Sequence, residues 1–564
     1  MKSCLVVLVA LVCVGGLLQL TSRAGDTVRA VSQTLPSGWI IRAPIGSVVQ
    51  TDTMPQGAAL SSDGSVLAVV ESGFNPPTLR LYDAKTLRET RSIALKGAFG
   101  RPLWRGDHVL VAGANADAIL QVDTHTGAVR TIALPAKSYP VALAAKGDLI
   151  AAATDGDGSV RIGSLENIAT AQPIHIGEHP GGLAFSSDGT KVFAAVRSGD
   201  YVASIDVAHK TTHRIAAGLH PSDVLTAGSE LYVAESDADS VGVYDTNDDH
   251  RIADIYVGNG SQADRVFGAS PNALASQGGD VFVSLGAANE IAVLREHRLV
   301  ERLPAGWYPT DVVPAAGRLF VIDGKGEGTR PNVHFDVFSK GYHDYVAAIQ
   351  YGSIRTVPLS SATIADENPQ GTAGWSTAAG NGIVRKGGPI KHVFFILKEN
   401  RSYDQVLGDM PQGNGDKALN WFGRTVTPNQ HALAGRFGLF DNAYANGEVS
   451  SAGHNWADAA IANDYVERYW PPSYGGRRDT DDLVVGYGAE VPANGLIWDA
   501  ARAARVSFRD YGEITPAPGA PTAPTLGNRF DPHYVGWNLD YSDLDRYKEW
   551  HREFDAFVRA GTVP

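Results

Sequence analysis

A carboxylate and a carboxamide follow an apolar stretch in the C-terminal part of the chain. Residues 393–397 read Val-Phe-Phe-Ile-Leu, and Glu399 and Asn400 come one residue later. Such a run predicts a strand buried on both faces of a parallel sheet, where ligands bind at the carboxyl ends of strands. Carboxylate and amide oxygens suit a divalent cation. The same residues also fit a helix start at 401–407, with Asn400 or Ser402 acting only as its N-cap.

A serine pair precedes the next predicted helix, at about residues 455–469. Ser450 or Ser451 is placed for nucleophilic attack, because the free N–H groups and the dipole of a helix N-terminus bind phosphate and stabilise an alkoxide. His454 lies four residues after Ser450 and could contact a phosphoryl oxygen or the leaving group. The alternative is that either serine is simply an N-cap. The pattern is not a Gly-x-Ser-x-Gly elbow, so it does not indicate an esterase triad.

Alternating apolar segments and amphipathic segments would position these side chains. Residues 393–397, 437–444 and 506–511 predict strands, whereas 455–469 and 496–502 predict helices. This alternation favours a doubly wound α/β domain.

The first half of the chain repeats itself. A proline followed by small and apolar residues recurs every 38 to 50 residues, at Pro55, Pro102, Pro140, Pro180, Pro221, Pro271 and Pro309. Short strands and tight turns follow most of these prolines, and a period near 40 predicts an all-β propeller, here with seven blades over residues 36–359. Residues 38–45 or 345–359 should close the ring. The units resemble the YVTN-type propeller repeats of bacterial exported proteins.

Three side chains that precede blade prolines, those of His179, His220 and Tyr308, either line a ligand-binding face or pack within loops. Residues 360–389 are rich in Gly, Ala, Thr and Asn and predict a linker. The propeller should therefore be a separable unit.

Composition restricts the class of protein. Of the 564 residues, 44% are hydrophobic, and the net charge of −13 makes nucleic acid an improbable partner. The only two cysteines, Cys4 and Cys13, lie in an apolar leader that begins with Lys2 and predicts a signal peptide over residues 1–24. We expect an exported protein, periplasmic or secreted, without cysteine in its mature form.

Three motifs in the C-terminal part add a resemblance. IKHVFFILKENRSYDQVLGD, TPNQHALAGRFGLFDNAY and GEVSSAGHNW resemble the bacterial phosphoesterase family that contains phospholipases C and certain acid phosphatases, within the alkaline-phosphatase superfamily. The resemblance covers residues 390–564. It implies an α/β (alkaline-phosphatase-like) domain that carries out metal-dependent phosphoryl transfer.

The resemblance also implies roles for individual residues. Glu399, Asn400 and Ser450 correspond to ligands of a divalent metal ion, which could be Zn, Mn or Ca. Ser450 corresponds to the nucleophile, with Ser451 next to it as the alternative. His431 and His454 match histidines that line the sites of the family.

The chain departs from the family after Ser450, because no later Asp-His metal motif is visible. We therefore expect an incomplete α/β domain, the N-terminal part of a longer one, that ends after a helix at about residues 547–560. Two or three ligands would hold the cation weakly, so this form should show little turnover.

The function that we expect is an exported phosphoesterase that acts on a small-molecule or lipid phosphate ester through a phosphoseryl intermediate. Its propeller would bind an unidentified ligand on one face. Two alternatives are an inert propeller that serves as a binding or scaffold protein, and a phospholipase C that acts on lipid headgroups.

Overall fold

The structure, a computed structural model, describes residues 32–34, 40–258, 268–332, 345–359, 387–478, 488–492, 495–513 and 524–564. The predicted signal peptide and most of the predicted linker lie outside these ranges. None of the described helices is long and apolar enough to cross a membrane.

The seven-bladed propeller is confirmed, as seven four-stranded antiparallel sheets. Ahead of the ring, β1 (Ser32–Thr34) pairs with β2 (Ile40–Arg42), and β3 (Ser47–Thr53) follows. Six blades then take four consecutive strands each: β4 (Pro55–Leu60), β5 (Val66–Glu71), β6 (Thr78–Asp83), β7 (Glu89–Ala94); β8 (Phe99–Arg105), β9 (His108–Ala112), β10 (Ala118–Asp123), β11 (Val129–Ala133); β12 (Pro140–Lys146), β13 (Leu149–Thr154), β14 (Ser159–Gly163), β15 (Ile174–His175); β16 (Pro180–Phe185), β17 (Lys191–Val196), β18 (Tyr201–Asp206), β19 (Thr212–Ala216); β20 (Pro221–Ala227), β21 (Glu230–Glu235), β22 (Ser240–Asp245), β23 (Arg251–Tyr256); β24 (Pro271–Gln277), β25 (Asp280–Leu285), β26 (Glu290–Arg295), β27 (Arg298–Pro304).

The seventh blade joins the two ends of the ring. It contains β28 (Pro309–Ala315), β29 (Arg318–Asp323), β30 (Tyr351–Pro358) and the early strand β3, which pairs antiparallel with β30. Pairing the two ends in one sheet removes an open edge. The predicted late strand therefore takes part in closure, whereas the described part of the other candidate segment, residues 40–45, does not, because β2 pairs with β1 instead.

The repeat prolines mark the innermost strands. The first strands of successive blades contact one another around the axis. In six blades the proline is the first residue of that strand, a position where its missing N–H costs no ladder hydrogen bond; Pro102 instead lies within β8. Each of these six prolines follows a residue in the left-handed region: Met54, Tyr139, His179, His220, Ser270 and Tyr308, with φ between 45° and 56°.

Within the described residues, seven helices follow or interrupt the last blade. They are α1 (Val346–Ile349), α2 (Tyr403–Leu407), α3 (Pro428–Phe437), α4 (Ser450–Ala459), α5 (Asp464–Tyr474), α6 (Ile497–Ala503) and α7 (Asp543–Ala560). The predicted helix at 496–502 is confirmed as α6. The single helix predicted at 455–469 was wrong, because Ala460 adopts a φ of 59° and Asn463 caps a new helix.

The predicted strands of the C-terminal part are not formed in the described residues. Residues 393–397 form no strand, and Val393 is 82% exposed. In place of a strand at 437–444, α3 ends at Phe437 and an irregular segment follows. The segment 506–511 is reduced to one parallel bridge, between Asp510 and Phe530. An apolar run becomes a buried parallel strand only beside neighbouring strands, and the described C-terminal residues supply no sheet. An alkaline-phosphatase-like α/β domain is therefore not shown.

Helix α5 is seated on the end of the propeller axis. All ten residues from Asp464 to Ser473 are buried. The Arg468 guanidinium donates to the backbone carbonyls of Gln56 and Thr310, at the starts of two inner strands. The Tyr469 ring stacks on Phe99 with ring centroids 4.5 Å apart. The C-terminal part and the ring thus share one core, which the prediction of a separable propeller did not anticipate.

Candidate functional site

Four polar side chains from three separate segments meet next to the start of α4. The Ser450 hydroxyl donates a short hydrogen bond to Glu399 Oε1. His454 Nε2 lies 2.9 Å from Glu399 Oε2, and His454 Nδ1 lies 2.6 Å from Glu513 Oε1. The spacing of Ser450 and His454 accounts for this arrangement, since residues four apart share one face of a helix. A hydroxyl, an imidazole and two carboxylates therefore form one continuous network, which we call the Ser450 cluster.

Ser450 rather than Ser451 faces this network. Val449 is the N-cap of α4, and no side chain caps the helix, so the capping alternative does not describe either serine. The Ser451 hydroxyl is buried without a hydrogen-bond partner. Ser450 therefore presents its oxygen at the N-terminus of α4, where backbone N–H groups and the helix dipole favour negative charge.

The sequence left open whether Asn400 or Ser402 caps the helix at 401–407, and the structure gives the two residues different contacts. Ser402 caps α2 in a capping box: its hydroxyl accepts from the Gln405 N–H, and its backbone N–H donates to Gln405 Oε1. The Asn400 carboxamide instead points back along the chain, with Nδ2 3.1 Å from Glu399 Oε1. Asn400 thus joins the edge of the Ser450 cluster.

Hydrogen bonds and charges within the Ser450 cluster shift the pKa values of His454 and Glu399. A hydrogen bond to Glu513 is the largest cause that raises the pKa of His454 to about 9, and Glu399 adds to it. Burial acts to raise the pKa of Glu399, but hydrogen bonds from Ser450 and His454 outweigh it and lower that pKa. At neutral pH the cluster thus combines an ionised carboxylate that accepts a hydrogen bond from Ser450 with an imidazolium.

Two further carboxyl groups lie behind His454. Burial, with repulsion from Glu513, raises the pKa of Asp458 to about 8 and that of Asp510 to about 7. One ligand atom from each of His454, Asp458 and Glu513 lies within 4.8 Å of the others, and Asp458 shares a side-chain hydrogen bond with Glu513.

The oxygen donors at the cluster fit a hard divalent cation. A carboxylate, a carboxamide and a hydroxyl from Glu399, Asn400 and Ser450 are joined by direct hydrogen bonds. Ions such as Ca²⁺, Mn²⁺ and Zn²⁺ accept such oxygen ligands. The Glu399 carboxylate lies at the centre of this set and contacts Asn400 Nδ2, Ser450 Oγ and His454 Nε2.

His431 is placed elsewhere by the structure. Its ring is buried on α3, with Nε2 2.7 Å from Asp409 Oδ1 and Nδ1 2.7 Å from the Thr427 carbonyl. Among the described residues, none of its hydrogen bonds reaches the Ser450 cluster. These contacts fix the N-terminal turn of α3 to the loop that carries Asp409.

The propeller holds the loop before Ser450. Lys325, which follows β29, places Nζ 2.8 Å from Glu448 Oε1 and 2.8 Å from Glu467 Oε2 of α5. Gln350 donates to the same Glu448 oxygen at 2.8 Å. Glu448 stands two residues before Ser450, so the ring and α5 together determine where the Ser450 hydroxyl lies.

The three side chains that precede blade prolines, those of His179, His220 and Tyr308, contact α5 or the N-cap of α5. His179 Nδ1 lies 3.2 Å from the Tyr465 hydroxyl, and the Tyr308 hydroxyl donates to Asp464 Oδ1 at 3.1 Å. Asn463 Nδ2 lies 3.4 Å from His220 Nδ1. These residues therefore pack inside the protein and do not line an open ligand-binding face, although they pack against a helix and not within loops.

Sequence reasoning missed Asp458, Glu513 and Lys325. Asp458 could have been found from its i, i+4 relation to His454 on one helix. Glu513 follows the segment 506–511 that was predicted as a strand, and a carboxylate at such an end is a candidate ligand. Lys325 carries no local signal, because its partners are 123 and 142 residues away in sequence.

Comparison with known proteins gives only distant similarities. No family model and no curated protein matches the sequence. Virginiamycin B lyase from Staphylococcus aureus aligns at 12% identity over 56% of this chain and 100% of its own, with a TM-score of 0.43. A chain of Kuenenia stuttgartiensis hydrazine synthase aligns at 16% identity over 49% and 94%, with a TM-score of 0.40. A chain of the mitotic checkpoint complex aligns at 12% identity over 56% and 94%, with a TM-score of 0.43. These values carry no conclusion about activity.

Proposed function

We propose that this chain is an exported, metal-dependent phosphoesterase whose propeller serves as a binding domain. The observation that carries the proposal is the convergence of Ser450, Glu399 and His454, from two segments about 50 residues apart, into direct hydrogen bonds. The substrate would be a small-molecule or lipid phosphate ester. The predicted signal peptide supports export to the periplasm or beyond.

The residues of the cluster have complementary roles in this reaction. Ser450 Oγ attacks phosphorus and forms a phosphoseryl bond while the bond from phosphorus to the leaving oxygen breaks. The Ser450 proton passes to Glu399, which already accepts its hydrogen bond. Protonated His454 donates its proton to the leaving oxygen, and Glu513 holds the ring in place. Water then attacks the phosphoseryl group and gives a proton to the neutral His454, the bond from phosphorus to Ser450 Oγ breaks, and Glu399 returns its proton to Ser450 as phosphate or a phosphomonoester is released.

Glu399, Asn400 and Ser450 would hold the divalent metal ion, because they supply the hard oxygen donors at the site. Such an ion neutralises phosphoryl oxygens and lowers the pKa of a nearby hydroxyl when bound. Zn, Mn and Ca are the ions to be compared.

The test is hydrolysis of a chromogenic phosphomonoester and phosphodiester by the purified chain with Zn²⁺, Mn²⁺ or Ca²⁺ added. Because two or three ligands hold the cation weakly, we expect only slow metal-dependent turnover. Ser450→Ala should abolish it, and Ser451→Ala, the matched control one residue away, should largely retain it. Turnover that survives Ser450→Ala would refute the assignment of the nucleophile.

A second candidate is a propeller that acts as a binding or scaffold protein with an inert C-terminal part. The fold supports this candidate more directly, because the seven-bladed ring is complete and α5 is built into its end. A cavity of about 90 Å³ follows the axis beneath α5 and offers a place for a small ligand; it is lined by inner-strand residues that include Arg101, Asp223, Asn272 and Asp311, together with Arg468. A correctly folded chain that shows no turnover with any of the three metals would favour the scaffold.

A phospholipase C that acts on lipid headgroups is the third candidate, and it shares the Ser450 chemistry. Liposomes that carry phosphatidylcholine separate it from a general phosphoesterase. Release of phosphocholine at a higher kcat/KM than release from the chromogenic ester would assign the lipid as substrate.

A further inference from the structure

We propose that the cavity on the propeller axis binds a small oxyanion, either a carboxylate or inorganic phosphate, through Arg101 and Arg197. The cavity has a volume of about 90 Å³, and both arginines line it. The proposal rests on the binding role proposed above for the propeller and names the class of ligand. It uses none of the residues of the Ser450 cluster, so it can be tested separately from the phosphoesterase activity.

The Arg101 side chain reaches across the ring. Arg101 lies on β8, the innermost strand of the second blade, but its guanidinium contacts the sixth and seventh blades. Nε lies 3.1 Å from Asp311 Oδ2 on β28, and Nη2 donates to the Leu274 carbonyl on β24 at 3.2 Å. The side chain is nevertheless 39% exposed. Because the residue lies inside the ring, this accessible surface faces the cavity that Arg101 lines.

Both arginines keep N–H donors that the protein does not use. A guanidinium carries five such donors. The hydrogen bonds of Arg101 come from Nε and Nη2, and Nη1 forms none with any described residue. The Arg197 side chain is only 7% exposed, and its one hydrogen bond within the described ranges runs from Nη2 to Asp464 Oδ2, at 3.5 Å. Arg197 Nε is buried without a partner.

The other charged side chains of the lining already have their partners. Arg468 donates from all three of its nitrogens, to Asp464 and to two backbone carbonyls. Each carboxylate oxygen of Asp223 and Asp311 accepts a backbone N–H, at distances of 2.8 to 3.0 Å. Among the charged residues of the cavity, the unmet capacity is therefore that of donors. An oxyanion supplies the acceptors, and guanidinium groups bind carboxylate and phosphate oxygens with strong, charge-assisted hydrogen bonds.

The volume of the cavity limits the size of the ion. One water molecule occupies about 30 Å³ in the liquid, so the cavity corresponds to roughly three water molecules or one ion of about four to six non-hydrogen atoms. Acetate and inorganic phosphate fall in this range, whereas a nucleotide or a phospholipid headgroup is too large. Gln56 Oε1, which also belongs to the lining, is buried without a donor, and the acidic proton of hydrogen phosphate would suit it.

Calorimetric titration and thermal melting of the full, metal-free chain with acetate, acetamide and inorganic phosphate test the proposal. We expect one equivalent of acetate or phosphate to bind saturably and to raise the melting temperature, because a ligand that binds only the native state stabilises it. The tighter of the two anions identifies the source of the oxyanion. Acetamide, which has the shape of acetate without its charge, should neither bind nor stabilise.

Variants locate the binding on the two arginines. Arg197→Met should weaken the binding of the anion by about tenfold or more. Arg130→Met, which replaces an exposed arginine on β11, is the matched control and should bind as the parent does. Ser450→Ala should bind acetate as the parent does, which separates this cavity from the Ser450 cluster.

Arg197→Met is the decisive variant, because Asp464 keeps its hydrogen bonds from Arg468 and Tyr308 and is not left without partners. Arg101→Met is less suitable, since it removes the cation beside the buried Asp311. Equal affinity in Arg197→Met and the parent, or no saturable binding of either anion, would overturn the proposal and would leave the turnover test unaffected. Equal binding of acetamide and acetate would overturn the anionic class of the ligand but not the binding role of the propeller.

Discussion

Lys325 links the propeller to the loop before Ser450, and we expect its substitution to lower the free energy of unfolding more than that of any other residue in this link. Its side chain is 13% exposed and stands between Glu448 and Glu467, which are 9% and 3% exposed. Lys325→Met keeps the aliphatic stem but leaves two buried carboxylates together without their cation. Glu448 retains the hydrogen bond from Gln350, and Glu467 retains that from Trp470. Removing one partner of a buried ion pair costs about 3–5 kcal/mol.

Urea unfolding measures this loss, and pH reveals its cause. Burial already raises the pKa of Glu467, and loss of Lys325 should raise it further. A carboxyl group whose folded pKa lies above its unfolded value stabilises the fold at low pH and loses that contribution as pH rises through the folded pKa. The deficit of Lys325→Met should therefore be larger at pH 8 than at pH 5. Lys548→Met, which removes an exposed partner of Asp545, is the matched control and should change little. A deficit no larger than that of the control, or one independent of pH, would show that Lys325 does not neutralise Glu448 and Glu467 as a buried cation.

Three further predictions follow from the same contacts. Arg468→Met should destabilise the chain by about 3–5 kcal/mol in urea unfolding, because Asp464 and two strand carbonyls lose a buried cation, whereas the exposed Arg295→Met should have no measurable effect. In metal-free protein the His454 ring should titrate near pH 9 by NMR, and Glu513→Gln should lower that midpoint. Because the pKa of His454 is raised, the contribution of His454 to stability is complete below about pH 6.5 and is lost as pH rises through 9. Limited proteolysis within residues 360–386 should yield two fragments that co-elute in native size exclusion, and their separation would contradict the burial of α5.

The propeller could be predicted from the sequence because its signal is local and repeated. Each blade carries its own proline, turns and short apolar strands, so seven weak signals agree on one architecture. The closing strand was harder to assign, since β3 and β30 are about 300 residues apart and neither carries a mark of pairing. The strand predicted at residues 393–397 shows the converse limit. An apolar run indicates that a segment can be buried, but the segment forms a strand only where neighbouring strands pair with it.

The candidate site was predictable in its parts and not in its connection to the ring. Glu399, Ser450 and His454 were named from residue type and position, and the structure brings these three together. His431 was named only from a resemblance, and its contacts tie α3 to Asp409 instead.

The residues before the repeat prolines explain why the ring and the C-terminal part form one body. In six blades the residue directly before the inner strand is left-handed, and in three of them, at His179, His220 and Tyr308, its side chain contacts α5 or the N-cap of α5. The His179 ring and the Tyr308 hydroxyl hydrogen-bond to side chains of α5, and the Tyr139 ring lies under Arg478, four residues after the end of that helix. Because Glu467 of that helix shares Lys325 with Glu448, a change at the propeller axis reaches the loop of Ser450 through only two ion pairs. The placement of the Ser450 hydroxyl should therefore respond to the state of the ring, whatever reaction or partner the cluster serves.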